Sequence, residues 1–69
     1  MRMIHIEVNG DDMSFENEVS VAELLSRLSV QGGAIAVEVN RDIVSKKLYD
    51  THRLLDGDRV EIVTFVGGG

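Results

Sequence analysis

The stretch VEIVTFVGGG, residues 60–69, joins a strand-forming run to three glycines, Gly67, Gly68 and Gly69. The run is rich in β-branched residues and carries one phenylalanine, a composition typical of a strand. Glycine has no side chain to pack and loses more backbone entropy on folding than other residues, so the glycines add nothing to stability. Either the glycines are a frayed end, or the terminal carboxylate is the functional group of the chain.

The predicted strand covers residues 59–66, and alternation assigns its side chains to two faces. Val60, Ile62 and Thr64 should face the core. Glu61, Val63 and Phe65 should then face away from it. A slip of one residue would reverse both sets, so the exposure of Phe65 tests the predicted register.

Upstream of this strand, the sequence predicts a hairpin and one helix. Met3 to Val8 alternates with period two, which predicts the first strand of the hairpin. Asn9-Gly10 is a tight-turn dipeptide, and Asp11 and Asp12 could lengthen the turn. Met13 to Glu16 is then the second strand of the hairpin. Ser20 opens a capping box with Glu23. Apolar residues then form one helical stripe (Val21, Leu24, Leu25 and Leu28), which Gly32-Gly33 is expected to end.

The residue pattern in the middle of the chain predicts further strands and turns. Ala34 to Val39 alternates as a strand, residues 40–42 form a turn, and residues 43–45 are a short extended piece. Residues 46–55 are irregular or a single helical turn, and residues 56–58 make a sharp turn. The expected core contacts in that irregular segment are Leu48, Leu54 and Leu55.

A single amphipathic helix among several strands needs a sheet face on which to bury its stripe. The pattern therefore predicts an α+β domain with a mixed sheet of four or five strands packed on one main helix. By analogy at the level of the fold, this is the ubiquitin-like β-grasp roll, in which the first and last strands pair at the centre of the sheet. We expect residues 1–66 to form this domain and residues 67–69 to be a flexible tail.

Composition excludes several classes of function. The 69 residues carry a net charge of −5 and include no cysteine. An acidic chain cannot displace counterions from nucleic acid, and a chain without thiols has neither disulfides nor thiolate metal sites. The acidity serves either solubility or contact with a basic patch on a partner protein. The first apolar stretch is interrupted by His5 and Glu7 and is neither a signal peptide nor a membrane span, so a cytoplasmic location is expected.

The side chains supply little catalytic chemistry. His5 and His52 are the only histidines, and neither belongs to an HExxH motif or to a cysteine cluster. We therefore expect no metal site and no enzyme activity of the chain's own. The terminal carboxylate remains, and glycines without Cβ atoms could lie in a narrow channel of another protein. Such a carboxylate needs activation, for example as an acyl-adenylate made from ATP by a partner, before an amine or a sulfur donor can attack it.

Two segments resemble a known family. LLDGDRVEIVTFVGGG (residues 54–69) and AIAVEVNRDIVSKK (residues 34–47) are similar to ThiS, the sulfur carriers of thiamine biosynthesis, and the resemblance covers nearly the whole chain. The free glycine end after TFVG distinguishes it from other ubiquitin-like modules. Small subunits of molybdopterin synthase share the fold and the tail but more often carry proline before the glycines, and this chain has no proline.

The resemblance implies a mechanism and partners. An adenylating enzyme of the ThiF class would use ATP and magnesium to adenylate the Gly69 carboxylate, and the chain itself would bind no cofactor. Sulfur drawn from cysteine through a desulfurase persulfide would give a thiocarboxylate, which thiazole synthase of the ThiG class would accept. Gly69 would carry the reacting group, while Gly67 and Gly68 supply clearance.

The residues next to the tail suggest where a partner docks. Val63, Phe65 and Val66 form a candidate apolar patch, which Met3 could extend. Two alternatives to the thiamine carrier remain open: a molybdopterin-type carrier or ubiquitin-like protein modifier, and a β-grasp binding module whose tail does nothing.

Overall fold

A computed structural model describes residues 3–30 and 34–65 of the chain. Its main helix, α1, covers Val21–Arg27, and a single 3₁₀ turn covers Lys46–Leu48. The strands, in chain order, are β1 (Ile4–Val8), β2 (Asp11–Phe15), β3 (Val19–Ser20), β4 (Ala34–Val39), β5 (Asp42–Ile43), β6 (Arg53–Leu54) and β7 (Arg59–Phe65). No helix within the described ranges is long and apolar enough to cross a membrane.

Five strands form one mixed sheet in the order β2-β1-β7-β4-β5. β1 and β7 run parallel at its centre, and the other neighbouring pairs are antiparallel. This arrangement confirms the predicted mixed sheet with its first and last strands paired. The sequence pattern missed a second, two-stranded sheet, β3 with β6, because strands of two residues have no detectable period.

The core lies between the helix and one face of the main sheet. Val21, Leu24 and Leu25 of α1 are buried, and the stripe's last member, Leu28, packs partly buried at its edge. The sheet contributes the alternate residues of its strands, namely Ile4, Ile6, Val8, Phe15, Val37, Val39, Val60 and Ile62. The opposite face of the sheet carries no helix in the described ranges, so its side chains are available to other molecules.

The helix begins and ends with defined caps. The Glu23 N–H donates to the Ser20 hydroxyl at 3.1 Å, and the Ser20 N–H donates to Glu23 Oε1 at 3.0 Å, which confirms the predicted capping box. The bond from the Ser20 backbone is the main reason that the pKa of Glu23 is lowered.

The predicted helix end was wrong. The helix closes at Leu28, where the Val30 N–H bonds the Leu25 carbonyl at 3.0 Å and the Ser29 N–H bonds the Ser26 carbonyl at 3.1 Å. This is a Schellman motif, with Ser29 at φ 59° in the place that glycine usually takes. Gly32-Gly33 lies outside the described residues and is not needed to stop the helix, since the caps already satisfy its last carbonyls.

Two tight turns connect the hairpins. Val8 pairs with Asp11, so the first turn is Asn9-Gly10 alone, and the expectation that Asp11 and Asp12 lengthen it was wrong. Val39 pairs with Asp42, which leaves Asn40-Arg41 as the second two-residue turn. All four turn residues have positive φ, between 50° and 88°, as a type I′ turn requires.

The irregular segment between β5 and β6 contributes less to the core than predicted. Leu54 is fully buried, but Leu48 and Leu55 are about half exposed, so two of the three expected core contacts were wrong. Tyr49 packs against the core instead, and its carbonyl accepts the Ala22 N–H at 2.8 Å. Apolar type alone did not distinguish these residues, because a 3₁₀ turn has too few residues to show a buried face.

Candidate functional site

Strand β7 leads to the predicted functional tail and has the predicted register. Val60 and Ile62 are buried, whereas Glu61, Val63 and Phe65 are exposed on the face of the sheet opposite the helix. Phe65 is 57% exposed and Val63 is 50% exposed, which are high values for apolar side chains in a central strand. Thr64 lies on the helix side of the strand but is also exposed, because the core ends at Ile62.

The first half of β7 is held from both sides. Asn40 Nδ2 donates to Asp58 Oδ1 at 3.0 Å, and the Arg59 N–H donates to Asn40 Oδ1 at 3.0 Å. On the face opposite the helix, Arg59 Nε lies 3.3 Å from Glu7 Oε2. These contacts fix where the strand starts relative to both of its neighbours.

Asn9 continues the pairing for one further step. The ladder between β1 and β7 stops at Val8 and Val60, and the chain then turns away at Asn9. The Asn9 side chain replaces the missing strand: Oδ1 accepts the Ile62 N–H at 2.7 Å, and Nδ2 donates to the Ile62 carbonyl at 3.2 Å. The sequence could not reveal this pair, because its members are 53 positions apart.

The second half of β7, residues 63–65, pairs only with β4. Val63 lies opposite Ala36, and Phe65 lies opposite Ala34. Alanine methyl groups cannot cover a valine and a phenylalanine standing beside them, so both side chains project from the sheet. Val63, Phe65, Ala34 and Ala36 are called the apolar strip below. The strip lies at the end of β7 from which the chain continues into the predicted tail.

Met3 does not extend this strip, contrary to the prediction. β1 is parallel to β7 with Glu7 opposite Arg59, so Met3 lies level with the segment before β7 rather than with its end. At about 3.3 Å per residue, Met3 and Val63 are separated by about 25 Å along the strands. Met3 instead lines a shallow groove with Leu55 and Arg53 at the opposite end of the sheet.

The predicted tail residues lie outside the described residues. They are Val66, Gly67, Gly68 and Gly69. The last described residue, Phe65, stands four positions before Gly69. A fully extended chain covers at most about 3.5 Å per residue, so the Gly69 carboxylate can reach about 14 Å beyond Phe65.

The two histidines lie in different parts of the fold. His5 Nδ1 lies 3.5 Å from Asp56 Oδ1, and both side chains are about two-thirds exposed. His52 lies in the loop after the 3₁₀ turn, where its carbonyl accepts the Val21 N–H at 3.0 Å. Within residues 3–30 and 34–65, no three His, Cys, Asp or Glu side chains come close enough to hold a metal ion.

Comparison with known proteins identifies relatives of the whole chain. The model of the ThiS family matches residues 6–69. The sulfur carrier protein ThiS of Bacillus subtilis is 34% identical over 65 residues, a match that covers 93% of this chain and 98% of that protein. The crystal structure of the thiamine biosynthesis protein (ThiS) from Geobacter metallireducens superposes with a TM-score of 0.80 at 35% identity, covering 96% of this chain and 100% of the other.

A second kind of relative is much longer. The thiazole synthase of Paramagnetospirillum magneticum is 42% identical over 62 residues, and that of Magnetococcus marinus is 34% identical over 64 residues. The chain spans only 19% and 20% of the lengths of these two proteins. The family match, the full-length relative and the shared β-grasp structure agree, and the chain belongs to the ThiS family.

Proposed function

We propose that this chain is a sulfur carrier of thiamine biosynthesis and that Gly69 is the residue that carries the sulfur. The observation that supports this most directly is the match to the ThiS family, which runs through residue 69 and so includes all three glycines. In this role the chain is a protein co-substrate rather than a catalyst. The ThiS relatives favour thiazole formation over the molybdopterin alternative.

The chemistry requires activation before sulfur transfer. The Gly69 carboxylate attacks the α-phosphorus of ATP on the adenylating enzyme, which gives an acyl-adenylate and releases pyrophosphate. A sulfur nucleophile then attacks the acyl carbon and releases AMP. If the sulfur arrives as a persulfide, the product is an acyl disulfide, and a thiol must reduce its S–S bond to leave the thiocarboxylate. ATP and magnesium are used by the partner and not by this chain.

The folded domain and the glycine tail have different roles in this proposal. Residues 1–66 would dock outside the partner's active site, while residues 67–69 extend about 10 Å into it. Three positions without Cβ atoms let the tail pass a narrow channel and take the backbone angles that the channel requires. The many contacts on the first half of β7 support this division, because they orient the strand from which the tail departs.

The apolar strip, continued by Val66, is the proposed docking surface. Phe65→Ala should weaken binding to the adenylating enzyme about tenfold, since large aromatic side chains dominate binding at interfaces. Its melting temperature should stay nearly unchanged, because Phe65 is exposed. Leu48→Ala removes a similarly exposed apolar side chain from the 3₁₀ turn and should leave binding unchanged. Equal effects of the two variants on binding would exclude the strip as the docking surface.

Three partners follow from the proposal. The relatives named thiazole synthase support a thiazole synthase as the acceptor of the sulfur, because each contains a segment similar to this chain. An adenylating enzyme of the ThiF class and, indirectly, a cysteine desulfurase would supply activation and sulfur. The reaction needs ATP and cysteine, which the cytoplasm supplies, and we propose a cytoplasmic location.

The decisive experiment is an intact-mass measurement. The chain is incubated with ATP, magnesium, the adenylating enzyme of the same organism, a cysteine desulfurase, cysteine and a thiol reductant. We expect a mass gain equal to the replacement of one oxygen by sulfur, located on the C-terminal peptide. A chain lacking Gly68 and Gly69 should show no gain. If the Bacillus subtilis carrier is converted by the same enzymes and this chain is not, the proposed function is wrong.

A further inference from the structure

Two glutamates stand directly opposite each other beside the apolar strip. Glu38 of β4 pairs with Glu61 of β7, one step along the strands from the pair Ala36 and Val63. Both side chains lie on the face of the sheet opposite the helix, since their neighbours Val37, Val39, Val60 and Ile62 are buried. The Cβ atoms of directly opposed residues are about 5 Å apart, so the two side chains are direct neighbours on this face.

This pairing is unfavourable within the folded chain. Like charges directly opposite each other on neighbouring strands destabilise a sheet. The ion pairs among the described residues are His5–Asp56, Glu23–Arg53 and Glu7–Arg59, and none of them involves Glu38 or Glu61. Arg59 is on the same face as Glu61 but is held by Glu7. Within the described residues, no ion pair therefore offsets this like-charge pairing.

Acidic residues outnumber basic ones on the described part of this face. Its acidic residues are Glu7, Asp12, Glu38 and Glu61, and its basic residues are Arg59 and His5, which lies beside Asp56. The other lysines and arginines of residues 3–30 and 34–65 lie elsewhere: Arg27 on α1 over the Phe15 ring, Arg53 beside Glu23, Lys46 and Lys47 in the 3₁₀ turn and Arg41 in the second hairpin turn. The face is thus apolar at one end and acidic in the middle, and a complementary surface would be apolar with a basic side chain beside it.

We infer that the adenylating enzyme covers this face, and that one arginine or lysine of that enzyme binds between Glu38 and Glu61 while its apolar side chains cover Val63 and Phe65. The inference rests on the proposed function and adds the chemistry of the partner surface. An arginine has enough donors in one plane to bond both carboxylates. Covering the adjacent strip removes water, which strengthens the ion pairs because the local dielectric constant falls.

Removing either carboxylate should raise the stability of the free chain but weaken its binding to the partner. Removing one carboxylate relieves the repulsion in the free chain, so Glu61→Gln and Glu38→Gln should each melt at a slightly higher temperature. The same variants lose a charged partner in the complex and should bind the adenylating enzyme about tenfold more weakly, in keeping with a charge-assisted hydrogen bond. An effect of Glu61 on folding alone could not produce both results.

The test uses the full chain and the purified ThiF-class enzyme of the same organism, with calorimetry in two salt concentrations. Glu16→Gln is the matched control, because it makes the same charge change at an exposed residue on the helix side of the far edge of the sheet. Its affinity should change less than twofold. The salt dependence of binding should become shallower in Glu61→Gln and not in Glu16→Gln, since one ion pair is lost from the interface.

The outcomes separate the inference from the function on which it rests. Wild-type affinity in both glutamine variants, or a loss matched by Glu16→Gln, overturns the inference while leaving the sulfur exchange at Gly69 intact. A lowered melting temperature in Glu61→Gln also overturns it, because the two carboxylates would then not repel. Normal docking with no sulfur exchange overturns the proposed function alone, and absence of any binding by the wild-type chain overturns both.

Discussion

The two halves of β7 differ in almost every physical respect, although they are consecutive in sequence. In residues 59–62, Arg59 and Val60 pair with β1 and residues 60–62 pair with β4. Two asparagine side chains bond to their backbone, and two of their side chains are fully or nearly buried. Residues 63–65 pair with β4 alone and expose every side chain. The first half anchors the strand in the domain, and the second half is the part that we propose contacts a partner. A carrier needs both halves, because the direction of the tail is defined only if the strand that precedes it is held in place.

The largest effect should come from the boundary between the halves. Ile62→Ala removes a buried side chain and should lower the free energy of unfolding by about 3 kcal/mol. Val63→Ala, one residue further on, should change it by less than about 0.5 kcal/mol, because Val63 is half exposed. Urea denaturation of both variants measures the difference. Similar losses in the two would show that the core extends into the second half.

The Asn9 contact should have the next largest effect. Asn9→Ala removes both hydrogen bonds to Ile62 and places alanine at φ 50°, so we expect a loss of about 2–3 kcal/mol. Asn9→Gly tolerates that φ and isolates the hydrogen bonds, with an expected loss of about 1–2 kcal/mol. Hydrogen exchange at the Ile62 amide should quicken in both variants. Unchanged protection of that amide would mean that Asn9 does not hold the strand.

Asn40 makes the corresponding contact at the start of the strand, with a smaller expected effect. Its bonds to Arg59 and Asp58 are exposed, whereas those of Asn9 are partly buried. Asn40→Gly should therefore cost about 0.5–1 kcal/mol in thermal or urea unfolding. A cost larger than that of Asn9→Gly would reverse the order that burial predicts.

An effect as small as that of Asn40→Gly, but of opposite sign, is expected in the second hairpin turn. Arg41 has φ 74° in the second hairpin turn, where the first turn has Gly10 at φ 88°. Arg41→Gly should raise the free energy of unfolding by about 0.5–1 kcal/mol, because glycine takes a positive φ without strain. Gly10→Ala is the converse change and should lower it by about 1 kcal/mol, by strain alone, since no atom lies within 4 Å of the added Cβ. The same sign for both variants would contradict the strain argument.

Much of the fold could be read from local pattern. The alternation of residues 34–39 and 59–65, the capping box at Ser20 and Glu23, and the turn at Asn9-Gly10 each depend on neighbours in sequence, and each is confirmed. The ThiS resemblance is likewise confirmed by the family match. The assignment of Gly69 as the carrier residue and of Val63, Phe65 and Val66 as its docking patch stays a prediction.

The errors have a common physical cause. Leu48, Leu55 and Met3 were assigned to a core or a patch by their apolar type. The position of Met3 depends on the register between β1 and β7, whereas Leu48 and Leu55 lie in or next to elements too short to show a buried face. The helix end was assigned to glycines, whereas the backbone closed earlier through a serine in a left-handed conformation. Neither register nor such a cap leaves a periodic signal in the chain.

The sequence by itself determined the class of fold, the faces of the last strand and the family, because these follow from periodicity, capping chemistry and motif, which are local. Only the tertiary structure decided that Asn9 and Asn40 hold β7, that Met3 is remote from Phe65, and that Glu38 opposes Glu61. Those facts arise when strands 20 to 50 residues apart are brought into register. Register is set by the packing of the whole core, and no single segment of the chain contains it.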